Sequence, residues 1–186
     1  MTIRIFFDHD FTHYVLFTTD ALAHMYTHAQ RRLWHKEAGG ELFANDPDAA
    51  GLVITTATGP NPRDRRSRCS WNPDTETADQ DRQQQFVHGR HAVGLWHTHP
   101  ESFPAPSGRD RQTAHDYLDA FHGERKRYLM VTLGNSGNPP NIAVWATSYE
   151  TRNSWTELVE TPASSILATT RLLPVSVRGA FIKQIP

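Results

Sequence analysis

The stretch GLWHTHPESFPAPSGRD, residues 94–110, holds the side chains of this chain best suited to chemistry. His97 and His99 stand at i and i+2 at the end of an apolar run that includes Val93 and Leu95. In a strand, the period of two puts both imidazoles on one face. With Pro100 stiffening the chain behind them, they form a plausible half-site for zinc. Asp110, in the first turn of the helix that should follow, is the candidate third ligand. Two imidazoles, one carboxylate and a water make a catalytic zinc arrangement rather than a structural one. A plainer reading stands beside it. Paired histidines also occur as ordinary polar residues at a sheet edge, and Ser107-Gly-Arg-Asp110 reads as a capping box with Asp in place of Glu. Cap and ligand are compatible, because a helix N-terminus directs its N–H groups at nearby anions.

The rest of the chain must position those residues. Its 186 residues are 38% hydrophobic, and 19 basic side chains oppose 20 acidic ones for a net charge of −1. That length fits one domain with a core of its own, needing no disulfide staples. A near-neutral chain is poorly suited to coating nucleic acid or an anionic membrane, so neither is expected as a partner. Eleven histidines contrast with a lone Cys69, so any metal would rely on nitrogen and oxygen ligands. One cysteine also fits a reducing compartment. No secretory signal core precedes Asp8, and nowhere do about 18 apolar residues run together. A cytoplasmic location is the expectation.

Alternation predicts a hairpin from Ile3–Phe7 and Tyr14–Phe17, then a helix from Ala21 to about Trp34 behind an N-cap at Thr19. Strands are expected at 37–44 and 52–58, and a loop at 59–74 with a short strand near 68–71. A helix is expected over 76–89 and a central strand over 92–96. A helix from Gly108 to Phe121 and strands at 128–133 and 142–147 follow. Residues 164–173 and 175–185 read as helix and as strand or arm. Helices and strands alternate around one sheet, which gives a single α/β domain.

His97-Thr-His-Pro, six residues, then Ser107-Gly-Arg-Asp110 resembles the H-x-H-P-x6-S-x-x-D signature of the JAB/MPN+ (JAMM) zinc metalloprotease family. Five fixed identities at about 5% each give a probability of about 10⁻⁷ per starting position, too small for coincidence in one chain. The segment Glu37-Ala-Gly-Gly-Glu-Leu-Phe-Ala44 resembles the family's upstream glutamate and glycine-containing strand. It departs at Glu41, normally an apolar position, and at Ala44, often Gly. Glu37 is the better match to the family's glutamate, since it precedes the glycine pair and lies sixty residues before His97.

The resemblance implies a JAB/MPN-type, cytidine-deaminase-like mixed β-sheet flanked by helices. The domain would span 1–162, hairpin 1–18 included, with 163–186 as a C-terminal extension. It implies one Zn2+ per chain on His97, His99 and Asp110. Glu37 would take a proton from water and deliver it to the leaving amine. Ser107 would donate to the developing oxyanion, worth roughly 3 kcal/mol. The implied bond is an isopeptide between a lysine ε-amine and the C-terminal tail of a ubiquitin-like protein, the tail adding as a strand to a sheet edge. The loop Pro60–Arg63, the acidic helix and both motif stretches look like those of bacterial stand-alone members. Those members are found beside ubiquitin-like conjugation genes, including antiphage operons. Implied partners are therefore a ubiquitin-like protein, its conjugates, and activating and conjugating enzymes. Processing of a sulfur-carrier-type or peptide substrate is the alternative enzyme reading. A non-catalytic MPN scaffold is the other, against which the complete set of Glu37, His97, His99, Ser107 and Asp110 argues.

Other candidates read as packing or surface. His24 and His28 share a helix face but lack the glutamate of a zincin, having Met25 there. His115 and His122 are similar. His35 lies near Glu37 in sequence, a position suited to supporting a ligand from outside. Arg63, Arg65, Arg66 and Arg68 form either a solvated loop or a grip for an acidic partner. Cys69 has no histidine partner to activate it and is read as structural. No Pro-Cys-x-x-Cys is present, which argues against a zinc deaminase.

Overall fold

A computed structural model describes residues 3–10, 12–121, 125–148 and 155–161. The chain opens with the expected hairpin, β1 (Arg4–Phe7) against β2 (Tyr14–Phe17). Asp8 closes its turn by accepting from the Thr12 and His13 N–H groups at 2.8 and 3.1 Å. Helix α1 (Thr19–Thr27) follows, capped by the Thr18 side chain. It ends well short of Trp34. Gln30 donates to the carbonyls of His35 and Arg68, at 3.1 and 2.8 Å, and folds residues 28–36 into an irregular turn that leaves Leu33 and Trp34 exposed.

Strand β3 (Gly39–Ala44) starts after Glu37 rather than at it. The expected strand at 52–58 is two strands, β4 (Gly51–Ile54) and β5 (Thr56–Ala57), which pair with β2 and β3 respectively. Residues 65–72, expected mainly as loop, form a hairpin of β6 (Arg65–Ser67) and β7 (Ser70–Asn72). Next come α2 (Thr75–Val87), β8 (His91–Thr98), α3 (Gly108–Ala120), β9 (Arg127–Leu133), β10 (Ile142–Ser148) and β11 (Thr156–Glu160). Only Leu158 of β11 is buried, so its apolar signal is weak in the sequence. The stretch 163–186 and His122 lie outside the described residues.

Nine strands share one mixed sheet in the order β4-β2-β1-β11-β10-β9-β8-β3-β5. Its two edge strands are joined through Thr55 alone, whose N–H donates to the Phe43 carbonyl of β3 at 3.1 Å. The sheet therefore curls until its edges meet. Helix α1 fills the concave side, where Ala21, Leu22 and Met25 pack with Trp96, Leu129 and Val131. Burial of that many large side chains, at about 25 cal/mol per Å² of apolar surface, is the main force holding the curl. On the other face, Ala114 and Leu118 of α3 pack on Leu95, Tyr128 and Met130. This layering fixes the fold class as α/β, a mixed sheet between helices. Among the described residues no helix is long and apolar enough to cross a membrane.

Candidate metal centre

Strand β8 lies between β3 on one side, antiparallel, and β9 on the other, parallel, with His97 opposite both Gly39 and Thr132. Hydrogen bonds beyond the ladder fix its end. Thr98 N–H donates to the Ala38 carbonyl at 2.8 Å, Ala38 N–H donates to Thr98 Oγ1 at 3.0 Å, and His99 N–H donates to the Leu133 carbonyl at 2.8 Å. The two imidazoles are thus carried on a rigid backbone, and they are 3% and 9% exposed.

Their Nε2 atoms face each other at 2.8 Å. Asp110 completes the group, with Oδ1 3.4 Å from His97 Nε2 and Oδ2 3.8 Å from His99 Nε2. These donor atoms all lie within 4.8 Å of one another, the only such cluster of three among the described residues. Two nitrogen lone pairs and a carboxylate pointed at one spot are unfavourable neighbours without a cation or shared protons between them. A divalent ion that takes imidazole and carboxylate satisfies all three at once, so the donor set fits zinc.

The capping box is present as well. Ser107 Oγ accepts from Asp110 N–H at 3.2 Å, and Asp110 Oδ2 accepts from Ser107 N–H at 2.7 Å. The cap is what aims Asp110 at the histidines. Burial opposes its ionisation, but His97 and Ser107 hold its carboxyl well below the usual carboxylate range.

Glu37 faces the same groove, a space of about 310 Å³ lined also by Trp71, His97, His99, Ser107 and Asp110. Its backbone is clamped by the β6–β7 hairpin: Glu37 N–H donates to the Ser67 carbonyl at 2.8 Å, and Arg66 Nε donates to the Glu37 carbonyl at 2.5 Å. Its side chain is left to the groove. Burial pushes that carboxyl up to about 7, with His99 pulling it down and Asp110 and Glu101 pushing it up. A buried group that exchanges its proton near neutrality is suited to general base work.

The structure thus brings together all five residues that the sequence singled out: Glu37, His97, His99, Ser107 and Asp110. It also brings in others. Trp71 lies nearly parallel to the His97 ring, centroids 6.4 Å apart, with its Nε1 donating to Asp64 at 2.9 Å. Gly39 permits that approach, since a Cβ there would sit 2.6 Å from the indole. Glu101 accepts from or shares a proton with His99 Nδ1 at 2.9 Å. Arg66 belongs to the arginine-rich stretch, whose spacing gave no hint of a partner on Glu37. The remaining candidates fall elsewhere. His24 and His28 pack edge-on and tilted against Trp96. His35 Nδ1 lies 3.3 Å from the Ala29 carbonyl. Cys69 is exposed on the groove rim.

The family model describing prokaryotic homologs of the JAB domain matches residues 18–155. The chain belongs to this family. The solution structure of protein DSY2949 from Desulfitobacterium hafniense superposes with a TM-score of 0.56 at 18% identity, covering 76% of this chain and 87% of that one. A protein from Salinibacter ruber is similar with a TM-score of 0.48 at 21% identity, over 79% of this chain and 91% of its own. The first likeness speaks for the fold alone. A search among curated proteins found no match.

Proposed function

We propose that this JAB-domain protein is a zinc-dependent isopeptidase that cleaves after the C-terminus of a ubiquitin-like protein. It would act in the cytoplasm, either in deconjugation or in precursor processing, in a bacterial ubiquitin-like antiphage pathway. The observation that carries the reading is the convergence of His97, His99 and Asp110 within 4.8 Å, in a groove that also contains Glu37.

His97, His99 and Asp110 would hold the metal. Zinc supplies Lewis acidity there, lowering the pKa of water towards 7 and polarising a carbonyl. Glu37 takes the proton from the attacking water and gives it to the departing lysine amine. Its burial keeps the carboxyl near the balance point for both transfers. The Ser107 hydroxyl, whose oxygen accepts from Asp110 N–H and which also supports the Asp110 carboxylate, would turn its proton to the developing oxyanion. Trp71 covers one face of His97 and excludes water from that side of the groove.

The test uses purified full-length protein, its zinc content, and a ubiquitin-like protein joined through its C-terminus to a lysine ε-amine. Wild type should carry about one zinc per chain and release the amine, and His97→Ala should do neither. Zinc binding without cleavage of any such conjugate would favour a sulfur-carrier-type or peptide substrate, or a binding scaffold. No zinc in either protein removes the mechanism.

A further inference from the structure

We infer that Glu101 is a positioning residue for the metal: it holds the proton of His99 on Nδ1 and so presents Nε2 as the ligand atom. The inference rests on the zinc reading above. Glu101 Oε2 lies 2.9 Å from His99 Nδ1, within normal hydrogen-bond range. A carboxylate only accepts, so the ring nitrogen facing it carries the proton. The other nitrogen then keeps its lone pair, and that is the atom 2.8 Å from His97 Nε2 and 3.8 Å from Asp110 Oδ2. A histidine ligand with the opposite tautomer would turn an N–H toward the cluster and bind no cation there.

The Glu101 side chain is 62% exposed, and an exposed carboxylate on a free loop would spend little time in one geometry. The backbone beneath it is not free. Asn135 Nδ2 donates to the Pro100 carbonyl, Asn135 N–H donates to the Glu101 carbonyl at 2.8 Å, and Asn141 Nδ2 donates to the Ser102 carbonyl at 2.8 Å. Three successive carbonyls are therefore tied to the 134–141 turn. Gly134 lets the two segments meet, because a Cβ there would lie 2.5 Å from the Ser102 carbonyl oxygen. The turn between β9 and β10, which carries no ligand of its own, thereby fixes where Glu101 starts and which nitrogen it reaches. His97 has a different support, the Trp71 ring lying along its face.

Zinc affinity of the full chain, measured by competition with a chromophoric chelator, tests this directly. Glu101→Ala should weaken zinc binding roughly 10- to 100-fold, the range for loss of a carboxylate behind a ligating histidine. Glu101→Gln, which can still accept from Nδ1–H, should lose less. Asn135→Ala should weaken binding in the same direction with Glu101 intact. The melting temperature of the zinc-free protein should be unchanged in Glu101→Ala, while its rise on adding zinc should shrink. Wild-type affinity in Glu101→Ala, or an equal loss of stability with and without zinc, overturns the inference and leaves the zinc reading standing. Failure of the wild type itself to take up zinc overturns both.

Discussion

Glu37 and Glu41 stand at either end of the same short segment, are 6% and 2% exposed, and have carboxyls that burial pushes up to about 7. Their surroundings differ completely. Glu41 is paired with Arg82 of α2, which in turn reaches Asp79, and the phenol of Tyr117 on α3 is pushed up to about 12 by burial and by the Glu41 charge. Glu37 has its backbone clamped and, among the described residues, no side chain hydrogen-bonded to its carboxylate, which faces the donor cluster with only His99 drawing it down. Burial costs more at Glu41, whose carboxyl is pushed as high as that of Glu37 although an arginine pairs with it. At Glu41 the protein offsets part of that cost with an arginine, which locks α2 to β3. At Glu37 the cost is left standing, and a buried carboxyl with nothing to do structurally is where perturbed titration points to chemistry.

The sharpest way to break this contrast is to neutralise each carboxylate in turn. Glu37→Gln should slow turnover by roughly 10²- to 10⁴-fold, the usual worth of a general base, while zinc content stays at the wild-type level. Glu41→Gln should leave turnover per folded molecule close to wild type. If Glu41→Gln is the inactive variant, the roles assigned to the two ends of the segment are exchanged. Ser107→Ala probes the same groove with a smaller effect. Loss of an oxyanion donor should cost about 10²-fold in kcat, and loss of the cap about 1 kcal/mol of stability. Loss of stability with an unchanged kcat would reduce Ser107 to the helix cap it visibly is.

The donor cluster was legible because it is local: a strand of period two brings His97 and His99 to one side, and a cap aims Asp110. The two halves of the site also lie near neighbours in the sheet, since β3 pairs with β8. What was not legible depends on contacts made at a distance. Arg66 reaches Glu37 only because residues 65–72 form a hairpin, and nothing in an arginine-rich, proline-flanked stretch distinguishes a solvated loop from a clamp. The split of 52–58 is similar. Its β-branched run reads as one strand, and the turn at Thr55 exists only because a curled sheet brings its two edges together. The early end of α1 is of the same kind, since Gln30 gains the Arg68 carbonyl, far away in sequence, by leaving the helix.

Arg82→Met moves the comparison from activity to stability. Removing one partner of a buried pair leaves Glu41 uncompensated, and unfolding by urea at pH 8 should show a loss of about 3 kcal/mol with an unchanged kcat for the folded fraction. The loss should shrink as pH falls, because a protonated Glu41 is cheaper to bury than an ionised one.

That pH dependence belongs to Glu41 in the wild type as well, and its sign can be worked out. Burial pushes the carboxyl up to about 7 in the fold, from 4.5 in an unconstrained chain. The folded protein therefore binds this proton more tightly than the unfolded one. Glu41 contributes its full stabilisation below pH 4.5 and loses it as pH rises through 7, by at most about 3 kcal/mol. Glu37 shifts in the same direction and Asp110 in the opposite one, so the wild-type curve alone is a mixture. The difference between zinc-free wild type and Glu41→Gln removes both, since each is common to the two proteins. Stability measured from about pH 4 to 9 should give a difference that is level at the acid end, slopes against the wild type between 4.5 and 7, and levels again above about pH 8. A constant offset replaces the slope if Arg82 holds Glu41 ionised throughout, and the two carboxylates then differ in charge at neutral pH as well as in partners.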